Sequence, residues 1–209
     1  MQTVTPLEPG GYYHIYNRGV NRENIFREER NYAYFLRLYT RHIEPVADTF
    51  AYCLLRNHFH LLVRIREVRQ TDAVSETASV SPTASVLTTA IVSKAFNNFF
   101  AAYAKAINKA YGRTGALFQH HFGRLPITSD RYFVALVHYI HHNPQKHGFV
   151  KDFREWPYSS YATMFSDQPT RLKRAEVLGW FGGAEGLRQF HAALADERPI
   201  RELIGEDED

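Results

Sequence analysis

Cysteine is nearly absent from this 209-residue chain. Cys53 stands alone, which excludes an internal disulfide and a cysteine-rich zinc site and leaves it as small core filler. No stretch approaches eighteen consecutive apolar residues, so no membrane-spanning helix is expected. The opening Met1-Gln2-Thr3-Val4-Thr5-Pro6 lacks the apolar region of a signal peptide, and the expectation is a cytoplasmic protein with no membrane partner. Acidic residues are scarce outside one place. Positions 196–209 hold seven acids against Arg198 and Arg201, leaving 23 basic and 15 acidic side chains before them, a body of +8 in a chain of +3. A basic body with an acidic end suits a partner that is a polyanion, although many proteins without that role are as basic. What is plentiful is aromatic and apolar: 14% and 44%, enough for one domain with a substantial core and an appendage.

The rest of the chain is organised around Asn57-His58-Phe59-His60-Leu61-Leu62-Val63. Side chains on a strand alternate faces, so both imidazoles point one way while Phe59, Leu61 and Val63 point the other. The pair is either a two-histidine metal platform or two histidines hydrogen-bonded within a half-buried sheet. A second stretch, Val137-His138-Tyr139-Ile140-His141-His142-Asn143-Pro144, breaks the tie. If Asp130 to His142 is a helix ended by Asn143-Pro144, then Phe133, Leu136, Val137 and Ile140 form its apolar stripe, and Tyr139 and Asn143 project from one flank a turn apart. Two imidazoles and one amide oxygen make a three-ligand site with positions open to a substrate oxygen. The tyrosine hydroxyl is a candidate covalent nucleophile. The structural expectation is that His58, His60 and Asn143 converge, with Tyr139 opening onto the same cleft.

Around these stretches the pattern alternates. Tyr12 to Asn17 reads as a strand ended at Arg18-Gly19, Tyr32 to Ile43 as a helix stopped by Pro45, and Phe50 to Leu55 and His58 to Ile65 as two strands around Arg56-Asn57. The low-complexity stretch at about 67–92, above all Glu67 to Thr89, reads as a long mobile insertion, and the acidic tail is expected to be poorly ordered with it. From about Ser93 the stripe Phe96, Phe99, Phe100, Tyr103, Ile107 and Tyr111 predicts a helix stopped by Gly112, with Lys94, Lys105 and Lys109 off the stripe. Ala116 to Ile127 is the last strand, and Thr128 or Ser129 caps the tyrosine helix. The fold class is α+β, a ferredoxin-like β-α-β-β-α-β antiparallel sheet with an additional C-terminal helix carrying the tyrosine. Residues 1–165 form the catalytic domain; 166–209 form a helical appendage, with a small amphipathic helix at Leu187, Phe190, His191 and Leu194 before the acidic tail.

A strand with His-hydrophobe-His, followed by a helix with Tyr-x-x-x-Asn inside Tyr-Ile-His-His-Asn-Pro-Gln-Lys-His-Gly (139–148), resembles the single-tyrosine HUH transposases. Within them it is most similar to the branch associated with repetitive extragenic palindromes (REP). Tyr13-His14-Ile15-Tyr16-Asn17-Arg18-Gly19, Gly115-Ala116-Leu117-Phe118-Gln119 and Trp156-Pro157-Tyr158-Ser159-Ser160-Tyr161 also match, so the resemblance runs from about residue 12 to about 165.

The resemblance implies DNA strand cleavage and rejoining on single-stranded hairpin DNA. Tyr139 would attack a phosphodiester, giving a 5′-phosphotyrosine link and a free 3′-hydroxyl, with His58, His60 and Asn143 holding Mg²⁺ or Mn²⁺. It also places the first strand beside the histidine strand and the last strand near the nucleic acid. Asn17, Arg18 and Arg22, with His14 as a further candidate, then contact DNA phosphates, joined by Gln119 and Arg124 from the last strand and by Lys146. His142 is the candidate for assisting proton transfer, its alternative being a surface histidine beside Lys146 and His147. His120 or His121 would be a spare ligand to a set that is already complete. Monomer and homodimer both stay open. Two rivals remain: a domesticated hairpin-binding protein that does not cut, and a phosphodiesterase using metal-activated water, for which an amide is a weak third ligand and Tyr139 has no task.

Overall fold

The computed structural model describes residues 5–67, 84–119 and 121–193; within 84–87 only the backbone is described. The acidic tail, most of the 67–92 insertion and His120 lie outside the described residues. Four strands, β1 (Tyr12–Arg18), β2 (Ala47–Leu54), β3 (His58–Ile65) and β4 (Gly123–Pro126), form one antiparallel sheet in the order β2-β3-β1-β4. The histidine strand and the first strand are therefore central neighbours, in the register Tyr16↔His60 and Arg18↔His58. Between the strands run α1 (Glu29–His42) and α2 (Ala84–Ala110), and after them α3 (Asp130–Lys146), α4 (Arg174–Trp180) and α5 (Ala184–Ala193).

Central β3 is buried on both faces, and its alternation divides the core. Phe59, Leu61 and Val63 join Ile15 against Phe35 of α1 and Phe96, Phe99 and Tyr103 of α2. Leu62 turns the other way, with Phe50 of β2, against Phe133, Leu136, Val137 and Ile140 of α3. Each fully buried aromatic or aliphatic side chain contributes on the order of 2 kcal/mol, so the period of two fixes which helix covers which face. Val177 of α4 and Leu187 of α5 belong to the α3 side, and Phe133 stacks on Trp180 with ring centroids 4.5 Å apart.

Several boundaries differ from those expected. Helix α2 begins at Ala84, so residues 84–92 are helical and not part of a loop; their Ser, Thr and Val content hid a helix that continues the aromatic stripe. The last strand shrinks to Gly123–Pro126, with Phe118 held to Gly19 only by an isolated bridge. Pro144 sits inside α3 rather than ending it. A proline removes one N–H and restricts the residue before it, yet a single final turn survives, with His147 N–H donating to Asn143 O. The stop comes at Gly148, at φ +70°. Of the two candidate caps it is Ser129 that accepts from Tyr132 N–H, at 3.2 Å.

The α3 side of the core also buries histidines. Desolvation, with His142 and His191 nearby, pushes His138 down to about 3, and desolvation pushes His191 down to about 4. Because their folded values lie below the unfolded ones, their contribution is fully present above about pH 6.5 and is lost as the pH falls toward the folded values. Together they should remove about 3 kcal/mol of stability per pH unit below that point. Urea midpoints at pH 7.5, 5.5 and 4.5 test this, and a flat profile from 7.5 to 4.5 would contradict it.

Candidate active site

His58 and His60 leave β3 on the α3 face and are almost completely buried. Their rings lie 5.1 Å apart, edge to face. His58 Nδ1 is 2.7 Å from Asn57 Oδ1. An amide oxygen only accepts, so Nδ1 carries the proton and Nε2 presents its lone pair; Nε2 is buried and has no hydrogen-bond partner among the described residues. His60 Nδ1 is 2.9 Å from Nε2 of His14, itself fully buried on β1. For His60 to ligate through Nε2, its Nδ1 must donate to His14, which then holds its own proton on Nδ1. That is the outer-sphere arrangement that fixes the tautomer of a ligating imidazole.

Helix α3 brings Asn143 and Tyr139 to the same face. Asn143 is fully buried, its Nδ2 donates to Tyr139 O at 3.2 Å, and its Oδ1 has no partner among the described residues. The amide stands close enough to raise the His58 pKa against the other influences, although no hydrogen bond of good geometry joins the two. Desolvation above all, then the charges of His147, Arg18 and Lys146, hold His58 at about 3. Desolvation, His14 and His58 hold His60 well below its ordinary value. Both imidazoles are therefore neutral at physiological pH, as ligands must be. Two neutral nitrogens and an amide oxygen fit a divalent cation, and the orphaned His58 Nε2 and Asn143 Oδ1 are the buried atoms such an ion would satisfy. No group of three His, Cys, Asp or Glu side chains suited to a metal exists among the described residues, so the amide is needed to complete any set.

The Tyr139 ring packs edge-on to His60 at 5.4 Å and to His14 at 6.2 Å, and Lys146 Nζ lies 4.8 Å from its centroid. With 2% of its surface exposed, Tyr139 lies under the helix and does not line the adjoining cleft, contrary to the expectation from helical spacing. The apolar stripe of α3 docks so closely on β2 and β3 that its flank is buried too.

That cleft is bordered by Tyr16, Asn17, Arg18, His58, His60, Gln119, His121 and Gly123. Tyr16 lies across Gly123, where an added Cβ would fall 2.1 Å from the Tyr16 ring, so the glycine is what lets the aromatic wall lie flat on the edge strand. Arg18 and Gln119 meet here as expected, joined by Gln119 N–H donating to Arg18 O. Asn17 turns its Oδ1 back to Arg18 N–H.

Three candidates do not come to this site. Arg124 lies opposite Ile15 in the register, hence on the α1 and α2 face, with its guanidinium 4.0 Å over Phe122. Arg22 is exposed in the turn after β1, outside the cleft lining. The His142 ring stacks on Phe153 at 3.9 Å and on His138 at 4.1 Å, a packing position on the side of α3 turned toward the C-terminal segment. Tyr16 carries no motif of its own that marks it in the sequence, and His14, a candidate phosphate contact, instead supports His60 from within the sheet. Both sit at i, i+2 on β1, the alternation that marked His58 and His60, and antiparallel pairing with β3 places them beside those histidines.

No family model matches the chain. In sequence it is 28% identical over 117 residues to a protein of Haemophilus influenzae named as a REP-associated tyrosine transposase, a match spanning 54% of this chain and 58% of that relative. The structure of a REP-associated tyrosine transposase bound to a REP hairpin superposes with a TM-score of 0.51 over 81% of this chain and 88% of that one, at 17% identity, a likeness of fold. Sequence and fold thus agree with the resemblance carried by the motifs. Among the described residues no helix is long and apolar enough to cross a membrane.

Proposed function

We propose, for a chain whose sequence and fold resemble the REP-associated tyrosine transposases, that it cuts and rejoins single-stranded hairpin DNA of the palindromic-repeat kind by transesterification. The observation that carries the reading is the meeting of two orphaned, buried donors, His58 Nε2 and Asn143 Oδ1, beside His60 and the ring of Tyr139. Tyr139 Oη forms a bond to phosphorus as the bond to the 3′-oxygen breaks. The phenolic proton is lost and the 3′-oxygen gains one, leaving a 5′-phosphotyrosine and a 3′-hydroxyl. Rejoining is the reverse, and no ATP is needed because the phosphodiester is exchanged and not hydrolysed.

Arg18, at the mouth of the cleft, and Lys146, over the Tyr139 ring, supply the cationic contacts for the scissile phosphate. Tyr16 offers a stacking face for an unpaired base. His58, His60 and Asn143 would hold Mg²⁺ or Mn²⁺, which when bound would supply positive charge where negative charge develops on the phosphate. Since Tyr139 is buried, its phenol has to rotate outward, or α3 has to shift, for attack.

The same burial favours, as a second reading, a hairpin-binding protein that does not cut. Incubation with hairpin repeat DNA and Mn²⁺ separates the two. The expected product is one cut strand with protein attached to its 5′ side through a bond that survives denaturation. Cutting without attachment would point to activated water, and tight binding without cutting to the second reading.

A further inference from the structure

The back of α3 is held by a hydrogen-bond chain that the cleavage reaction leaves unused. His141 is two residues from Tyr139, about 160° around the helix, and is fully buried. Its Nε2 is 2.9 Å from Ser160 Oγ and its Nδ1 is 2.9 Å from His191 Nε2, on α5. His191 Nδ1 is 2.9 Å from Leu187 O, a backbone acceptor.

The direction of every bond follows. Leu187 O can only accept, so His191 carries its proton on Nδ1 and accepts at Nε2. His141 Nδ1 must then donate, its Nε2 accepts, and Ser160 Oγ–H donates to it. Ser160 Oγ in turn accepts from Tyr52 N–H of β2 at 2.9 Å, while Ser160 N–H donates to Tyr52 O at 2.9 Å. The segment carrying Ser160 lies along the outer edge of the sheet. Leu54 N–H donates to Tyr158 O at 2.9 Å, and Trp156 Nε1–H donates to Leu54 O at 3.0 Å. The chain thus runs from β2, neighbour of the histidine strand, through α3 to α5, with Ser160, His141 and His191 neutral, satisfied and buried.

We infer that the Ser160–His141–His191 chain is a positioning device: it sets the rotation and depth of α3 against the sheet, and with them where Tyr139 and Asn143 stand relative to His58 and His60. Helix α5, expected as part of an appendage, is then a working part of the cleavage site, together with the Trp156–Tyr161 segment of the catalytic domain. The catalytic consequence rests on the proposed transesterification; the mechanical one does not.

The test compares the full chain with Ser160→Ala, His191→Phe and His191→Gln, by hydrogen exchange of α3 amides without metal or DNA, and by single-turnover adduct formation at saturating hairpin DNA. Ser160→Ala and His191→Phe each remove two hydrogen bonds, one of them to His141, and loss of the His141 bond should speed α3 exchange by about tenfold. Exchange in β1 and β3 should be unchanged. Adduct formation should slow by about tenfold or more, with hairpin Kd within about twofold, because no DNA-contacting group is removed. His191→Gln keeps an acceptor for His141 and should recover most of both. If His191→Phe does not fold, Ser160→Ala and His191→Gln make the comparison. Unchanged α3 exchange overturns the inference, and so does faster exchange with an unchanged adduct rate. A full chain that forms no adduct overturns the transposase reading instead, and the exchange data alone then decide whether the chain positions α3.

Discussion

Tyr139→Phe should abolish the denaturation-resistant protein–DNA species, lowering its rate of formation at least about a thousandfold, as removal of a nucleophile does. The substitution deletes one oxygen and no positive charge. The ring contacts with His60 and Lys146 remain, so α3 stays docked and stability should change by no more than about 1.5 kcal/mol. Hairpin binding should persist because Arg18, Gln119 and Lys146 are untouched. Denaturing gels with end-labelled DNA measure the first quantity and a binding titration the second. An adduct of undiminished yield would assign the nucleophile elsewhere, and equal strand cutting without any adduct would favour hydrolysis.

His58→Ala and His60→Ala should each reduce cutting to the level seen with EDTA, and each should lower Mn²⁺ affinity in a titration followed by electron paramagnetic resonance. The two should differ in stability. Among the described residues the His58 side chain hydrogen-bonds only to the adjacent Asn57, whereas removing His60 strands His14 Nε2 in a fully buried place and opens a cavity under Tyr139. His60→Ala should therefore cost about 2–4 kcal/mol and His58→Ala distinctly less, which makes His58→Ala the cleaner test of metal binding. Mn²⁺ affinity unchanged in both variants would remove the metal from the site.

Much of what positions this site is local, and the sequence determined it unaided. A period of two on β3 put His58 and His60 on one face and Phe59, Leu61 and Val63 on the other. A period of 3.6 on α3 set Tyr139 and Asn143 one turn apart beside an apolar stripe, and a cap at Thr128 or Ser129 marked where that helix begins. These are properties of neighbours in the chain, so neighbours suffice to read them. What the tertiary structure decided depends on register and docking between distant segments. Arg124 looked like a cleft residue until the pairing of β4 with β1 gave that face to Gly123. His14 met His60 across 46 residues, and His141 met His191 across 50. Helical angles put His142 on the flank of Tyr139, but Phe153 took its ring. Tyr139 itself was legible as a nucleophile and not as a buried one, because depth is set by how closely α3 packs on the sheet, and no spacing along one helix carries that distance.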